Sequence, residues 1–138
     1  MEKTARAIVW QDNNIILIHR KKKVEGKIIE YYCTPGGHLE DGETFEEAVR
    51  REVKEELGVD VRINSLFLEF ENTDINTLEK YYNVKYISGE IGTGKGEEFT
   101  SRNFEEYGSY EIAYVPKEKI KNINLLPKEL KEKLIIEK

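Results

Sequence analysis

The 138-residue sequence predicts a mixed fold of α-helices and β-strands. Its length fits one domain, since domains most often run to about 100–150 residues. Hydrophobic residues make up 38% of the chain and aromatic residues 10%, which is enough for a core and too much for a disordered segment. Runs of β-branched and aromatic residues flank one strongly capped helical segment. We therefore expect a single domain, residues 1–138, with a sheet and at least two helices.

The strands are predicted from short apolar runs that end at turn residues. Residues 11–14, Gln-Asp-Asn-Asn, form a turn cluster that would join the first two strands as a hairpin. A polar loop is expected at residues 20–23 and Lys27, and Pro35-Gly36-Gly37 would stop the strand after it. The predicted strands are residues 4–10, 15–18, 30–34, 59–63, 66–70, 81–87 and 110–115.

Two helices are predicted from the residues at their ends. Thr44, followed three residues later by Glu47, fits the capping box that opens a helix. Gly58 is placed to end this helix in a left-handed conformation. Residues 127–136 are predicted to form a closing helix, with proline in its first turn.

The formal net charge of −5 comes entirely from one window. Residues 37–59 hold eight acidic and three basic side chains, whereas the rest of the chain has 19 of each sign. An acidic chain disfavours sequence-independent nucleic-acid binding, which depends on Lys and Arg contacts with phosphates. The concentration of charge in one window indicates a local function for these acids.

Other classes of protein are disfavoured by features that the sequence lacks. No cationic segment followed by a long apolar run opens the chain, so no secretory signal is visible. No apolar stretch reaches the roughly 20 residues of a membrane helix. The single Cys33 and two histidines provide neither an internal disulfide nor a zinc site. We therefore expect a cytoplasmic protein with no membrane partner and no stable nucleic-acid partner.

Three carboxylates of the first helix fall on or beside its predicted apolar face. Successive helix residues rotate by about 100°, which places Glu52 and Glu56 inside the apolar stripe and Glu55 at its edge. Glutamate is common on surface helices because it is a good helix former. That does not explain three acids overlapping an apolar face, where repulsion and desolvation both disfavour the charged forms. Hard cations such as Mg²⁺ or Mn²⁺ would stabilise such a cluster.

The same segment resembles the Nudix box. Gly37 is followed after five residues by Glu43, and after seven more by the run Arg51-Glu52-Val53-Lys54-Glu55-Glu56-Leu57-Gly58-Val59. Every fixed position of the family pattern is occupied, including the aliphatic positions Val53 and Val59. The resemblance implies the family's α/β/α sandwich with a mixed central β-sheet. The Nudix box, residues 37–59, is 23 residues long, so this evidence comes from a small part of the chain.

The resemblance also implies roles for individual residues. The metal ligands would be three box glutamates and one backbone carbonyl: Glu52, Glu55, Glu56 and the carbonyl of Gly36. The ion would be Mg²⁺ or Mn²⁺. Arg51 and Glu43 would pair with neighbouring acids and hold the loop and the helix in register.

The resemblance implies hydrolysis of a pyrophosphate bond, in which a water molecule attacks phosphorus. That water needs a proton acceptor, and the family offers two alternatives. The base is either a box glutamate, here Glu52, or a glutamate on a later loop. Glu97 and Glu98 lie roughly forty residues past the box and are the candidates for the second case. The choice between the two stays open at this point.

Three further residues are candidate substrate contacts: Gly37, His38 and Arg20. His38 follows the first box glycine and could touch a phosphate. Arg20 opens a basic run that could steer an anionic substrate, although a solvated loop also accounts for that run. The resemblance implies that the small-molecule partner is a nucleotide or another nucleoside diphosphate derivative.

The resemblance implies a metal-dependent pyrophosphohydrolase that cleaves a nucleoside diphosphate linked to another moiety. No proline lies between Pro35 and Pro116, although many ADP-ribose hydrolases have one shortly after the box, and Tyr81 is too distant for the dinucleoside polyphosphate pattern. The upstream signature of coenzyme A hydrolases is absent too. By elimination, a nucleoside triphosphate, including an oxidised one, is the expected substrate. The alternative is a catalytically silent Nudix domain that binds nucleotide as a regulator. Many family members form homodimers, so the resemblance allows a homodimer, but the sequence does not decide the oligomeric state.

Overall fold

The computed structural model describes residues 1–92 and 108–136. The strands in these ranges are β1 (Glu2–Ile8), β2 (Trp10–Gln11), β3 (Asn14–Val24), β4 (Lys27–Cys33), β5 (Gly36–His38), β6 (Val59–Asn72), β7 (Thr77–Gly89) and β8 (Ser109–Pro116). The helices are α1 (Phe45–Leu57), a 3₁₀ helix (Lys117–Asn122) and α2 (Lys128–Ile136). The mixed α and β class predicted from the sequence is confirmed.

Contacts divide the described residues into two compact units. The first unit comprises residues 1–9 and 34–92, and its sheet has the strand order β5-β1-β7-β6. β1 runs parallel to β7, whereas β5 is antiparallel to β1 and β6 is antiparallel to β7. The sheet is therefore mixed, as predicted.

Helix α1 packs against this sheet, where it contacts β1, β5 and β6. The predicted capping box is present, because the Thr44 hydroxyl accepts the Glu47 N–H at 3.1 Å and the Glu47 carboxylate accepts the Thr44 N–H at 2.9 Å. Gly58 ends the helix with a φ of 83°, in the left-handed region that favours glycine. The buried residues of α1 are Ala48, Val49, Val53, Glu56 and Leu57.

The second unit comprises residues 10–33 and 108–136. β3 is its central strand and pairs antiparallel with β2, β4 and β8. Residues 15–18 of β3 are buried on both faces, as the continuous apolar run predicts. The closing helix is confirmed as α2, which lies beside the 3₁₀ helix and buries Leu130 and Leu134. The 3₁₀ helix has no counterpart in the sequence prediction.

The predicted hairpin between residues 4–10 and 15–18 is wrong for most of its length. Of the predicted strand 4–10, only Trp10 pairs with β3, as part of β2. Residues 4–8 belong to β1, which pairs with β5 and β7. Ala5, Ala7 and Ile8 have no exposed surface, so both faces of β1 are covered. A strand buried in this way belongs in the middle of a sheet, and non-local pairing outweighs the local turn signal.

The predicted polar loop at residues 20–23 and Lys27 is also wrong. β3 and β4 continue through these basic residues. The two strands pair from Ile18 opposite Cys33 to Val24 opposite Lys27. Glu25 and Gly26, both with positive φ, make the two-residue turn between them. Backbone hydrogen bonds hold a strand pair whatever its side chains are, so a solvent-exposed hairpin can carry a basic run.

Two further boundaries differ from the prediction. The predicted strands 59–63 and 66–70 form one strand, β6, with register shifts in its pairing with β7. β4 ends at Cys33 before the predicted stop, but Gly36 begins the short strand β5. β5 pairs with β1, with Gly36 opposite Arg6, Gly37 opposite Ala5 and His38 opposite Thr4.

Among the helices described, none is long and apolar enough to cross a membrane.

Candidate active site

The three anomalous glutamates of α1 differ in exposure as the helical rotation predicts. Glu56 is 5% exposed, the Glu52 side chain is 13% exposed and the Glu55 side chain is 49% exposed. Two carboxylates therefore lie within the packed face of the helix and the third lies at its edge. Each of the two enclosed carboxylates meets one glycine of β5.

The Glu56 carboxylate accepts a hydrogen bond from the backbone N–H of Gly36, at 3.0 Å to Oε2 and 3.4 Å to Oε1. Gly36 has a φ of +147°, and a Cβ added to it would overlap the carbonyl oxygen of Ala5. The backbone of Gly36 thus lies directly against β1, with no room for a side chain at this position. Its N–H stabilises the negative charge of the buried Glu56 carboxylate.

Gly37 meets the Glu52 carboxylate in a different way. A Cβ added to Gly37 would lie 3.0 Å from Cδ and Oε1 of Glu52 and 3.1 Å from Oε2. These distances are shorter than the roughly 3.5–4.0 Å of an ordinary carbon contact. The Glu52 carboxylate therefore occupies the space that a side chain at position 37 would need.

Arg51 connects the loop before α1 with the glutamates of the helix. Its Nε and Nη2 atoms donate to Oε2 and Oε1 of Glu43 at 2.7 and 3.0 Å, which is a bidentate pair. Nη1 donates to Glu52 at 2.8 Å and to Glu55 at 3.4 Å. Nη2 also donates to the backbone carbonyl of His38 at 3.1 Å. Arg51 thus links the loop residues Glu43 and His38 with Glu52 and Glu55 of the helix, and the role that the resemblance implies for Arg51 and Glu43 stays a prediction.

The bidentate pair shifts the pKa of both partners. The hydrogen bond from Arg51 lowers the pKa of Glu43, against the opposing effect of desolvation, and the N–H of Glu40 adds to the lowering. The hydrogen bond to Glu43 raises the pKa of Arg51 above its already high value. Both groups are therefore charged at neutral pH, and one cation lies among several carboxylates.

The donor chemistry of this site fits a hard divalent cation. Carboxylate and carbonyl oxygens are the ligands that Mg²⁺ and Mn²⁺ prefer. In the ranges 1–92 and 108–136, no three His, Cys, Asp or Glu side chains stand close enough together to form a preformed metal cage. Mg²⁺ usually keeps several waters and takes one or two carboxylates, so a preformed three-ligand cage is not required.

The remaining candidate residues are His38, Arg20, Glu97 and Glu98. The His38 backbone contacts Arg51, but its side chain is exposed. Arg20 belongs to the second unit, where it donates to the Tyr31 hydroxyl at 3.0 Å and lies 3.7 Å from the centre of the Tyr110 ring. Glu97 and Glu98 lie outside the described residues.

Sequence reasoning missed how the two glycines of β5 work. It assigned the carbonyl of Gly36 to the metal and overlooked its N–H, which binds Glu56. It gave Gly37 as a substrate contact and overlooked its contact with Glu52; Gly37 lies in a strand and is not among the glycines with positive φ. The adjacent glycines opposite a helix with acids on its packed face were the available signal.

Comparison with known proteins identifies the family. A family model described as the NUDIX domain matches residues 1–134. The chain is 33% identical over 110 residues to an ADP-ribose pyrophosphatase of Methanocaldococcus jannaschii, covering 80% of this chain and 62% of that protein. It is 36% identical over 95 residues to an 8-oxo-dGTP diphosphatase of Escherichia coli, covering 67% of this chain and 73% of that protein.

Solved structures share the fold. The crystal structure of a MutT protein from Methanosarcina mazei matches with a TM-score of 0.69 and 20% identity, over 97% of this chain and 90% of that one. The chain therefore has the fold of these proteins, and every fixed position of the Nudix box is occupied. The chain belongs to the NUDIX domain family.

Proposed function

We propose that the chain is a divalent-metal-dependent pyrophosphohydrolase that cleaves a nucleoside diphosphate linked to another moiety. The observation that supports this most is the contact of two enclosed carboxylates with β5: Glu52 lies against Gly37 and Glu56 accepts the Gly36 N–H. Arg51 donates to both Glu52 and Glu55. A surface helix rich in glutamate would not enclose two carboxylates in this way. The intact Nudix box argues in the same direction.

The proposed cofactor is Mg²⁺ or Mn²⁺, with its protein ligands drawn from the carboxylates of Glu52, Glu55 and Glu56 and the carbonyl of Gly36. When bound, such an ion neutralises phosphate charge and lowers the pKa of a water molecule. An acidic pocket alone would repel a pyrophosphate, so the acidic residues 37–59 need this compensation. The exposed edge of the site, at Glu55, is the side from which an ion can enter.

Among the described residues, Glu52 is the proposed proton acceptor for the attacking water. Its carboxylate lies between the backbone of Gly37 and the Arg51 guanidinium, and a fixed position favours general-base catalysis. Arg51 acts through Glu52 by orienting it, and Glu43 in turn orients Arg51. Glu97 and Glu98 remain the alternative bases. His38, Gly37 and Arg20 remain proposed substrate contacts.

The proposed substrate is a nucleoside triphosphate, including an oxidised one. This follows from the sequence features that accompany other substrates and are missing here, and one relative is named an 8-oxo-dGTP diphosphatase. ADP-ribose is the competing substrate, because another relative is named an ADP-ribose pyrophosphatase. The chain spans less than two thirds of that second relative's length.

A product assay tests the proposal. The purified chain is incubated with dGTP, 8-oxo-dGTP or ADP-ribose, in Mg²⁺, in Mn²⁺ or in excess chelator, and nucleoside monophosphate is measured by chromatography. We expect monophosphate only when metal is present, and faster release from a triphosphate than from ADP-ribose. Faster release from ADP-ribose would reverse the substrate assignment and keep the reaction class.

Absence of product from every substrate would contradict the proposed activity. Nucleotide binding measured in the same samples by calorimetry would then support the catalytically silent regulator. Organisation as one hydrolase domain over residues 1–138, assembly as a homodimer, a cytoplasmic location and the lack of a nucleic-acid partner stay predictions.

A further inference from the structure

The two adjacent glycines of β5 meet different kinds of neighbour. At Gly36 the nearest atoms to an added Cβ belong to the backbone of β1 or to the base of a side chain, and they include the Ala5 carbonyl oxygen. At Gly37 the nearest atoms are the three carboxylate atoms of Glu52, at 3.0–3.1 Å. A backbone cannot yield, whereas the far end of a glutamate side chain can.

The Glu52 carboxylate is limited on a second side by Arg51. Nη1 of Arg51 donates to Oε1 of Glu52 at 2.8 Å, and Arg51 is itself fixed by its bidentate pair with Glu43. The carboxylate is thus set between the bare backbone of position 37 and a guanidinium. Movement away from Gly37 would therefore change the hydrogen bond between Glu52 and Arg51.

The backbone of Gly37 does not itself require glycine. Gly37 is not among the residues with positive φ and lies in the middle of β5. An alanine there would suit a strand as far as its backbone is concerned. The three atoms nearest to an added Cβ all belong to the Glu52 carboxylate, so this contact is the observed reason for glycine here.

From these contacts we propose that Gly37 is a positioning residue for Glu52. The missing side chain at position 37 sets where the Glu52 carboxylate stands, and so sets divalent-cation affinity and proton transfer from the attacking water. This inference rests on the proposed function, because Glu52 is its target. It assigns to Gly37 a role separate from chain flexibility and from stability.

The test compares Gly37→Ala with Gly36→Ala, its neighbour in the same strand. Mn²⁺ affinity is measured by titration calorimetry, stability by thermal melting without metal, and kcat and KM with the best substrate. We expect Gly37→Ala to melt as the wild type does, to bind Mn²⁺ about tenfold or more weakly, and to lose kcat by a larger factor than any rise in KM from its proposed substrate contact. Gly36→Ala should lose stability instead. At Gly26 an added Cβ meets nothing within 4 Å but a φ of +79° strains a side chain, so Gly26→Ala should lose some stability and change neither metal affinity nor kcat.

A double-mutant cycle shows whether the effect passes through Glu52. Glu52→Asp withdraws the carboxylate by one methylene and makes room for a methyl group at position 37. If Gly37 acts through Glu52, adding Glu52→Asp to Gly37→Ala costs no further Mn²⁺ affinity, although Glu52→Asp alone weakens it. Losses that multiply in the double variant would overturn the inference.

Two other results would also overturn it. Gly37→Ala could bind Mn²⁺ and turn over substrate as the wild type does, or it could lose stability as Gly36→Ala does, which would make its role structural. If the wild type itself neither binds Mn²⁺ nor shows metal-dependent turnover, the proposed function fails and this inference fails with it. A normal wild type with a normal Gly37→Ala variant removes only the inference.

Discussion

Arg51 carries one positive charge among four carboxylates of the Nudix box. It donates to Glu43, Glu52 and Glu55, and its Nε lies 3.6 Å from Glu40. The Glu43 pair is bidentate and mostly enclosed, whereas Glu55 is half exposed. Arg51 is therefore bound through two of its nitrogens by Glu43, and its Nη1 holds Glu52 closely and Glu55 at a longer distance.

Removing the charge of an enclosed glutamate should abolish turnover and leave the fold intact. Glu52→Gln removes the proposed base and Glu56→Gln removes a proposed ligand, while the amide oxygen of the new side chain at position 56 can still accept the Gly36 N–H. We expect turnover to fall by about 10²-fold or more, the range for loss of a positioned base. Circular dichroism and steady-state kinetics check this.

Glu46→Gln, exposed on the same helix, is the control and should keep its rate. Turnover near the wild-type rate in either variant would contradict the site assignment.

The Glu43–Arg51 pair should make stability depend on pH. Arg51 lowers the pKa of Glu43 in the folded protein, so folding is favoured at a pH above the ordinary glutamate pKa of about 4.3. This contribution is lost as the pH falls through the lower folded value. Glu43→Gln should therefore be less stable than the wild type at pH 7, with the difference shrinking in acid. Urea unfolding at several pH values measures it, with Glu132→Gln on α2 as the exposed control. A difference that does not change with pH would refute the electrostatic origin.

At the scale of elements, the capping box decides where α1 begins and hence where its glutamates point. Thr44 accepts the Glu47 N–H, and one residue earlier Glu43 accepts the Glu40 N–H and the Arg51 guanidinium. The start of the helix and the loop before it are thus tied to the same cluster. β5 supplies the other wall through its pairing with β1.

Thr44→Ala should lower the free energy of unfolding by about 1 kcal/mol, because one helix N–H loses its acceptor. Thr44→Ser keeps the hydroxyl and should be close to the wild type. Thr73→Ala, in an exposed turn, controls for the loss of a threonine elsewhere. Urea unfolding measures all three. Equal stabilities of the Ala and Ser variants would show that this cap does not stabilise the fold.

At the scale of the whole molecule, charge is distributed unevenly. The acidic residues 37–59 account for the net charge of −5, and the rest of the sequence is balanced. The carboxylates of this window repel one another, and Arg51 compensates only part of that repulsion. Ions bound among them would bring the site to neutrality and let it accept a polyphosphate.

Mg²⁺ should raise the melting temperature, because a ligand that binds only the folded state stabilises it. At a hundred times its dissociation constant the gain is about 2.7 kcal/mol, which for a chain of this size corresponds to several degrees. Differential scanning calorimetry in Mg²⁺ or in NaCl of equal ionic strength separates binding from screening. Glu56→Gln should show a smaller rise. A melting temperature that millimolar Mg²⁺ leaves unchanged would count against the metal site.

Predictions from sequence succeeded where the signal was local. The Thr44 cap, the Gly58 end and the burial of Glu56 all follow from residues within a few turns of one helix, and all are confirmed. Pairing between distant strands was predicted poorly, as β1 shows. Its partners β5 and β7 are far along the chain, and no pattern within residues 4–10 predicts which strands they pair with.

The sequence by itself determined the family, the helix and the acids on its packed face. Those features depend on residue types at fixed spacings, and helical geometry is local and regular. The tertiary structure decided how the carboxylates are seated, through the N–H of Gly36 and the bare backbone of Gly37. That arrangement exists because β5 pairs with β1 and lies beside α1. Contacts between elements depend on how the whole unit packs, so the spacing of residues along the chain does not reveal them.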